Sequence, residues 1–209
     1  MNLDKTAIMH FRHNFFWGNQ IIQKVEKYKY LGIWLDSSLS FSDNIYALAI
    51  SGGRALGKLI GKFKSHSDVG YKSFTKVYES FVDPVLSYAA GVWGYKAAPN
   101  IDRVQNGAAR YFLGVGSLTP IHAIEGDMGW FPTRYKRYVE IIRVWNRFVV
   151  MDDTRLTNKI FLMTYEISSD STNWCSEFKI VCERLNIVDK FENLEKIDVG
   201  NLRPNANFN

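Results

Sequence analysis

The chain has 209 residues, 46% of them apolar and 15% aromatic, with 26 Lys and Arg against 21 Asp and Glu for a net charge of +5; that is enough material for one buried core or two small ones. Two cysteines, Cys175 and Cys182, exclude a disulfide scaffold and form no metal site, and at seven residues apart on a helix they share a face as two thiols in a reducing interior. The opening Met1-Asn2-Leu3-Asp4-Lys5 lacks the apolar core of a signal peptide, and no run approaches the ~20 apolar residues needed to span a bilayer, so a soluble intracellular protein is expected.

In chain order, residues 5–11 and 27–35 read as strands. Between them Phe15-Phe16-Trp17-Gly18-Asn19-Gln20-Ile21-Ile22 reads as a strand, a Gly-Asn turn and a return strand. Gly32 inside the pattern at 27–35 predicts a bulge or a close approach of another backbone, and Asp36-Ser37-Ser38 ends the run. A few strands without a companion helix make a poor domain. Residues 1–42 are therefore expected to be the edge of a larger sheet.

From residue 43 the apolar period changes from two to about 3.6. Ile45, Leu48, Ala49, Gly52, Ala55, Leu56, Leu59, Ile60 and Phe63 fall on one helical face, with Ser42 or Asp43 as the expected N-cap. A second helix carries Phe74, Val77, Tyr78, Phe81 and Val82, and Asp83-Pro84 marks a fresh start with Asp as cap. A third carries Ile101, Val104, Ala108, Ala109 and Phe112 and ends at Gly114. Thr119-Pro120 opens a short helix. The helix from about Thr133 to Met151 turns Tyr135, Tyr138 or Val139, Ile142, Trp145 and Val149 inward. Residues 152–165 form another helix, Ser168–Thr172 a linker or cap, and Trp174, Phe178, Val181 and Leu185 one more helix. Gly200 to Asn209 is expected to be disordered.

Charge is unevenly placed along this pattern. Residues 43–151 hold fourteen Lys and Arg against eight Asp and Glu, whereas residues 152–209 hold seven against ten. A basic field concentrated in a helical region suits a polyphosphate partner, because each neutralised phosphate releases counterions. The helix at 133–151 carries Arg134, Lys136, Arg137, Arg143 and Arg147 with Glu140 as its one acid, a pattern able to pack on a core and still face phosphates.

Lys27-Tyr28-Lys29-Tyr30-Leu31-Gly32-Ile33-Trp34-Leu35-Asp36 contains Tyr-Leu-Gly-x-x-Leu-Asp, which resembles the hairpin between palm and thumb of non-LTR retrotransposon reverse transcriptases (RNA-directed DNA polymerases). The surrounding motifs follow that family's order: Asn2–Phe11, the basic helix, Val82-Asp83-Pro84-Val85-Leu86-Ser87-Tyr88, Val92-Trp93, Ile101–Gly114, then Glu125-Gly126-x-x-x-Trp130-x-Pro132. The likeness covers residues 1 to about 165. It implies an α+β, predominantly α fold: a short N-terminal antiparallel hairpin or sheet remnant (1–42), a helical thumb-like bundle (43–165), and a further helix with a disordered acidic tail (166–209). It also implies that Tyr30, Leu31 and Gly32 support a primer end while the helices hold a template–primer duplex. Charge and placement add Lys58, Lys62, Lys64, Arg103, Arg110, Arg134, Arg137, Arg143 and Arg147 as candidate nucleic-acid contacts.

Catalytic machinery is not legible in the chain. Asp152-Asp153 is its one Asp-Asp pair, but the family's metal-binding pair precedes the Tyr-Leu-Gly hairpin and this one follows it by more than a hundred residues. It stands where the next helix needs an N-cap. His10, His13, His66 and His122 lack metal-ligand spacing. Ser51-Gly52-Gly53-Arg54 lies inside a helical pattern with no Lys-Ser or Lys-Thr after it, so close helix packing explains its glycines better than phosphate binding. The expectation is a truncated, non-catalytic polymerase fragment that grips RNA–DNA duplex or other nucleic acid. It needs no cofactor of its own, the divalent metals belonging to the catalytic palm. The partners expected besides nucleic acid are the remaining polymerase portion, or a second copy through the strand edge, and no membrane. The alternative is a helical protein-interaction module or a relic scaffold.

Overall fold

The computed structural model describes residues 25–65 and 69–202, preceded by four two-residue strands for which the backbone alone is placed. β1 (Ala7–Ile8) pairs in parallel with β4 (Gln23–Lys24), and β2 (Phe16–Trp17) pairs antiparallel with β3 (Gln20–Ile21), as the 15–22 hairpin reading expects. His10, His13, His66 and residues 203–209 lie outside the described residues.

Residues 27–35 are not one strand but two. β5 (Lys27–Tyr30) and β6 (Ile33–Asp36) pair antiparallel, Tyr30 opposite Ile33, across a two-residue turn. Leu31 (φ 47°) and Gly32 (φ 86°) both adopt positive φ, which a tight hairpin turn of this twist demands. Leucine at φ 47° is costly, and glycine beside it is not. Gly32 is thus a turn residue, not the expected bulge or backbone approach; what comes close is a side chain, since a Cβ there would stand 3.2 Å from the Tyr88 ring.

After the hairpin, Asp36 closes the loop that leads into the helices. Its carboxylate accepts hydrogen bonds from Ser38 N (2.9 Å), Ser40 N (3.2 Å) and Ser40 Oγ (2.8 Å), among others. α1 (Ser42–Phe63) then begins, capped neither by Ser42 nor by Asp43 as expected. Phe41 takes the cap position at φ 57° because its ring is buried in the core, and Ser40 Oγ accepts from Ser42 N instead.

The first core gathers α1 with α2 (Tyr71–Phe81), α3 (Asp83–Leu86), α4 (Ala90–Trp93), α5 (Pro99–Leu113) and α6 (Ile121–Met128). α1 lies along α5 and α3, burying Ile45, Leu48, Leu56 and Leu59. A Cβ on Gly52 would overlap Leu86, so this glycine does permit close packing. On α2 only Phe74, Tyr78 and the following Val82 point inward, at i, i+4 and i+8. Val77 and Phe81, expected on the same face, are exposed. Phe74 stacks on Phe112 at 4.9 Å and Tyr78 on Trp130 at 4.5 Å. Val82 rather than Asp83 occupies the cap of α3, and Asp83 pairs with Lys136 at 3.1 Å. Gly114 ends α5 at φ 66°, as its position predicts.

α7 (Thr133–Val149) joins the first core to a second, formed with α8 (Leu156–Glu166), α9 (Trp174–Leu185) and α10 (Val188–Glu192). Trp145 is its centre, with ring centroids of Phe178, Phe191 and Phe161 within 4.8–5.5 Å. Cys175 and Cys182 are both buried here as free thiols on one face of α9, and burial pushes both up to about 12. α9 starts with a capping box between Asn173 and Ser176. Phe161 shares this cluster with Phe178 and Phe191, and Tyr165 packs against it. The segment after α10 is also held: Trp145 Nε1 donates to Glu195 O at 2.9 Å, and Asn146 exchanges two 2.8 Å hydrogen bonds with Ile197. Order therefore continues through Gly200 to Leu202, where a disordered tail was expected. The whole is α+β and predominantly α. Among the described residues, no helix is long and apolar enough to cross a membrane.

Candidate nucleic-acid interface

The hairpin tip is presented rather than buried. Tyr30 and Leu31 are 58% and 73% exposed, and Tyr28 beside them is also exposed. Three contacts fix the hairpin on the helices. Asn44 Oδ1 accepts from Trp34 N (3.2 Å), Lys27 pairs with Asp43 (2.5 Å), and the Tyr88 hydroxyl donates to Leu31 O (2.9 Å). Tyr88 is itself held, since Trp93 Nε1 donates to its carbonyl at 3.0 Å and the next residue, Ala89, turns at φ 53°. Tyr88 was not a candidate from sequence. It stands in the Val82–Tyr88 string, but a contact spanning 57 residues leaves no local signal.

The turn that carries Tyr88 also lies beside α7. A shallow groove is walled by Ser87, Ala89 and Val92 on one side and by Glu140, Arg143 and Arg147 on the other. Both arginines are exposed, and Arg143 forms an i, i+3 ion pair with Glu140. The Ser87–Val92 segment thus touches both features: its Tyr88 holds the Leu31 carbonyl, and its Ser87, Ala89 and Val92 line the groove with Arg143 and Arg147.

Other candidates do not join it. Arg137 is 2% exposed, where the amphipathic reading set it outward. Its Nη1 donates to Thr133 Oγ1 (2.5 Å) and lies 3.5 Å from Asp102, tying α7 to α5. Burial lowers its pKa, and Asp102 acts the other way. It is a structural cation and cannot lie on a duplex face. Arg110 is engaged as well, donating to the carbonyls of Gly116, Ser117 and Thr119 at 2.9–3.3 Å and so fixing the loop before α6. Arg103 is exposed on α5 and donates to Asn100 (3.2 Å), while Arg134 borders a cleft between α5, α6 and α7.

Lys58, Lys62 and Lys64 are exposed at the far end of α1. At 1.5 Å per residue they stand roughly 20–30 Å along the helix from Asn44, where the hairpin is attached. Their face has an unusual partner set. Gly53, Gly57 and Gly61 recur every fourth residue beside Arg54 and Lys58, and among the described residues nothing outside the local helix backbone lies within 4 Å of where their Cβ would stand. Internal packing does not require these glycines.

Asp152-Asp153 does not fit a divalent-metal pair. It follows a helix rather than a strand, and Asp152 Oδ1 accepts from both the amide (2.8 Å) and hydroxyl (2.5 Å) of Thr154. Those hydrogen bonds lower the Asp152 pKa. The turn precedes α8, whose N-cap is Arg155 and not Asp153 or Thr154.

No protein-family model matches the chain, and no solved structure matches it. Over 85 residues the chain is 28% identical to the RNA-directed DNA polymerase from mobile element jockey of Drosophila funebris. The aligned stretch is 41% of this chain and 9% of that polymerase, so the match spans about a tenth of the relative. Part of the chain is thus similar to a retrotransposon polymerase.

Proposed function

We propose that this chain derives from a retrotransposon reverse transcriptase and serves the holding of a template–primer duplex, not phosphoryl transfer. The observation that carries the reading is that one segment, Ser87–Val92, both holds the exposed Tyr30-Leu31-Gly32 tip through Tyr88 and lines a groove with Arg143 and Arg147. An aromatic and backbone tip beside two guanidinium groups suits a sugar–phosphate strand, whose recognition needs cations and contact area but no base-edge code. The glycines and cations of α1 extend the same chemistry along a second face, where a phosphate strand could approach the helix backbone. The partial similarity to the jockey polymerase supports the origin. On this reading the catalytic carboxylates and their metals belong to polymerase segments other than these, since Asp152-Asp153 is engaged in a turn.

The test is binding of the purified chain to a labelled RNA–DNA hybrid across a salt series. Affinity should fall linearly on logarithmic axes, and replacing Arg143 and Arg147 by Ala should reduce the slope by roughly one to two units. A folded chain that shows no salt-sensitive binding to any duplex overturns the reading. One observation favours a second reading, a protein-docking module. Leu156, Ile160, Met163 and Ile167 form a stripe on α8 and the turn after it, each more than half exposed. Association through that stripe would be nearly insensitive to salt.

A further inference from the structure

A cleft of about 650 Å³ opens between α5, α6 and α7, with no hairpin residue in its lining. Three helices begin on its wall: Pro99 of α5, Ile121 of α6 and Thr133 of α7 all line it. None of the three has a side chain capping its first turn. At the starts of α6 and α7 the leading amides have no intrahelical acceptor, whereas on α5 Pro99 has no N–H and the amides of Ile101 and Asp102 donate to Ala98 O; the macrodipole places partial positive charge at all three ends. Three such ends facing one cavity make a concentrated positive field.

Side chains add to that field. Lys96, Arg134, Arg137 and Arg184 line the cleft, with His122 at its edge. Two acids share it. Asp102 is bound to Thr133 and Arg137, and Glu125 lies 3.7 Å from His122. Burial raises the Glu125 pKa, in keeping with a carboxylate held in a confined setting. Lys96 also reaches Glu177 at 3.2 Å outside the lining, and Arg184 donates to the Tyr138 hydroxyl at 2.7 Å. Cations still exceed acids around the cavity.

The wall also holds two buried polar atoms with no partner. One is Nε of Arg137, a donor on a side chain that is 3% exposed. The other is Oε1 of Gln105, an acceptor on a residue whose amide nitrogen is fixed to Phe131 O at 2.9 Å. Buried donors and acceptors are nearly always paired in folded proteins, and a guanidinium whose Nε is left unpaired is costly. A ligand that both accepts from a guanidinium and brings a hydroxyl group would complete the set.

We infer that this cleft binds a phosphate monoester carried on a sugar, received by the leading amides of α6 and α7 and by Arg134, Arg137 and Arg184. The volume lies within the range of small-molecule sites, and helix starts are established receivers of phosphate. Two sources share this chemistry: a free mononucleotide and the 5′-phosphorylated end of a nucleic-acid strand. The inference does not rest on the duplex reading, because the cleft shares neither Tyr88 nor Arg143 and Arg147.

The experiment uses the full chain and adenosine 5′-monophosphate, followed by calorimetry and by thermal unfolding, with adenosine and matched chloride as controls. The monophosphate should bind and raise the unfolding temperature, and adenosine should do neither. Arg134→Ala and Arg184→Ala should each weaken binding roughly tenfold or more, as loss of a charge-assisted hydrogen bond requires. Arg143→Ala should leave it unchanged while altering duplex affinity. Arg137 is unsuitable as the sole test, since its loss endangers the fold. A 5′-phosphorylated oligonucleotide, compared with its 5′-hydroxyl form, separates the sources: preference for the phosphorylated end assigns a strand terminus, and binding of the monophosphate alone assigns a nucleotide. Absence of binding by both phosphorylated probes, or equal affinity in the Arg134 and Arg184 variants, overturns the inference.

Discussion

α1 and α7 are both long basic helices, yet they use their charge differently. On α7 two basic residues are committed, Arg137 inside the fold and Lys136 to Asp83, while the Arg143–Glu140 pair is exposed and readily exchanged for a partner's phosphate. On α1 the outer face carries Arg54 and Lys58 beside three glycines whose Cβ positions meet nothing outside the local helix backbone among the described residues. Counting cations along a helix therefore overstates the positive surface of α7. The charge available to a partner depends on which acids and carbonyls the fold brings opposite, and those come from distant elements.

The sharpest way to break this comparison is to remove the committed cation. Arg137→Ala leaves Asp102 and Thr133 without their guanidinium and should destabilise the chain by about 2–4 kcal/mol, the lower part of the range for dismantling a buried pair because Asp102 remains half exposed. Chemical denaturation measures it. A loss below about 0.5 kcal/mol would mean that Arg137 is as dispensable as a surface arginine.

The glycines sharpen the other half. Gly52→Ala places a methyl against Leu86 and should cost about 1–3 kcal/mol through overpacking. Gly57→Ala, five residues on with open space around it, should instead stabilise the helix by up to about 1 kcal/mol. Opposite signs in thermal unfolding are the expected result. If the duplex reading holds, Gly57→Ala should also weaken hybrid binding despite the more stable fold.

The smallest expected effect concerns the loop that joins the hairpin to α1. Burial alone would raise the Asp36 pKa, but the hydroxyls and amides of Ser38 and Ser40 outweigh it and hold the carboxyl well below the usual range. A carboxylate depressed on folding contributes stability above its unfolded pKa of about 4, and that contribution is lost as pH falls through the lower folded value. Acidification below about pH 4 should therefore loosen the hairpin attachment, and Asp36→Asn should flatten this part of the pH profile. Amide exchange at residues 27–40 reads the change.

Much of this architecture was legible in the residues. The 3.6 period located α1, α5 and α7 because each buries a continuous stripe, and Gly114 marked the end of α5 because only a residue tolerant of positive φ closes a helix that way. The hairpin was harder. Lys27–Asp36 has the composition of one strand, and only the positive φ at Leu31-Gly32 splits it, although the resemblance to the polymerase hairpin pointed there. Phe41 displaced Ser42 from the cap because burial of an aromatic ring outweighs a hydroxyl cap worth about 1 kcal/mol. Tyr88 left no local trace, and although Thr119-Pro120 and Thr133 were legible as helix openings, their gathering around one cleft was not, since it arises from approach of segments tens of residues apart. Arg137 was misplaced for the same reason: periodicity assigns a face but not the acid waiting opposite.

The hooking of the segment after α10 onto Trp145 has a consequence for biosynthesis. The first core gathers residues up to Trp130, whereas Trp145 is covered in stages by Phe161, Phe178 and Phe191, and its indole N–H finds its acceptor only once residues 146–195 have been made. At ordinary elongation rates that interval is roughly 3–10 s. Throughout it the growing polypeptide carries an assembled first core and, on α7, an indole whose polar edge still lacks its partner.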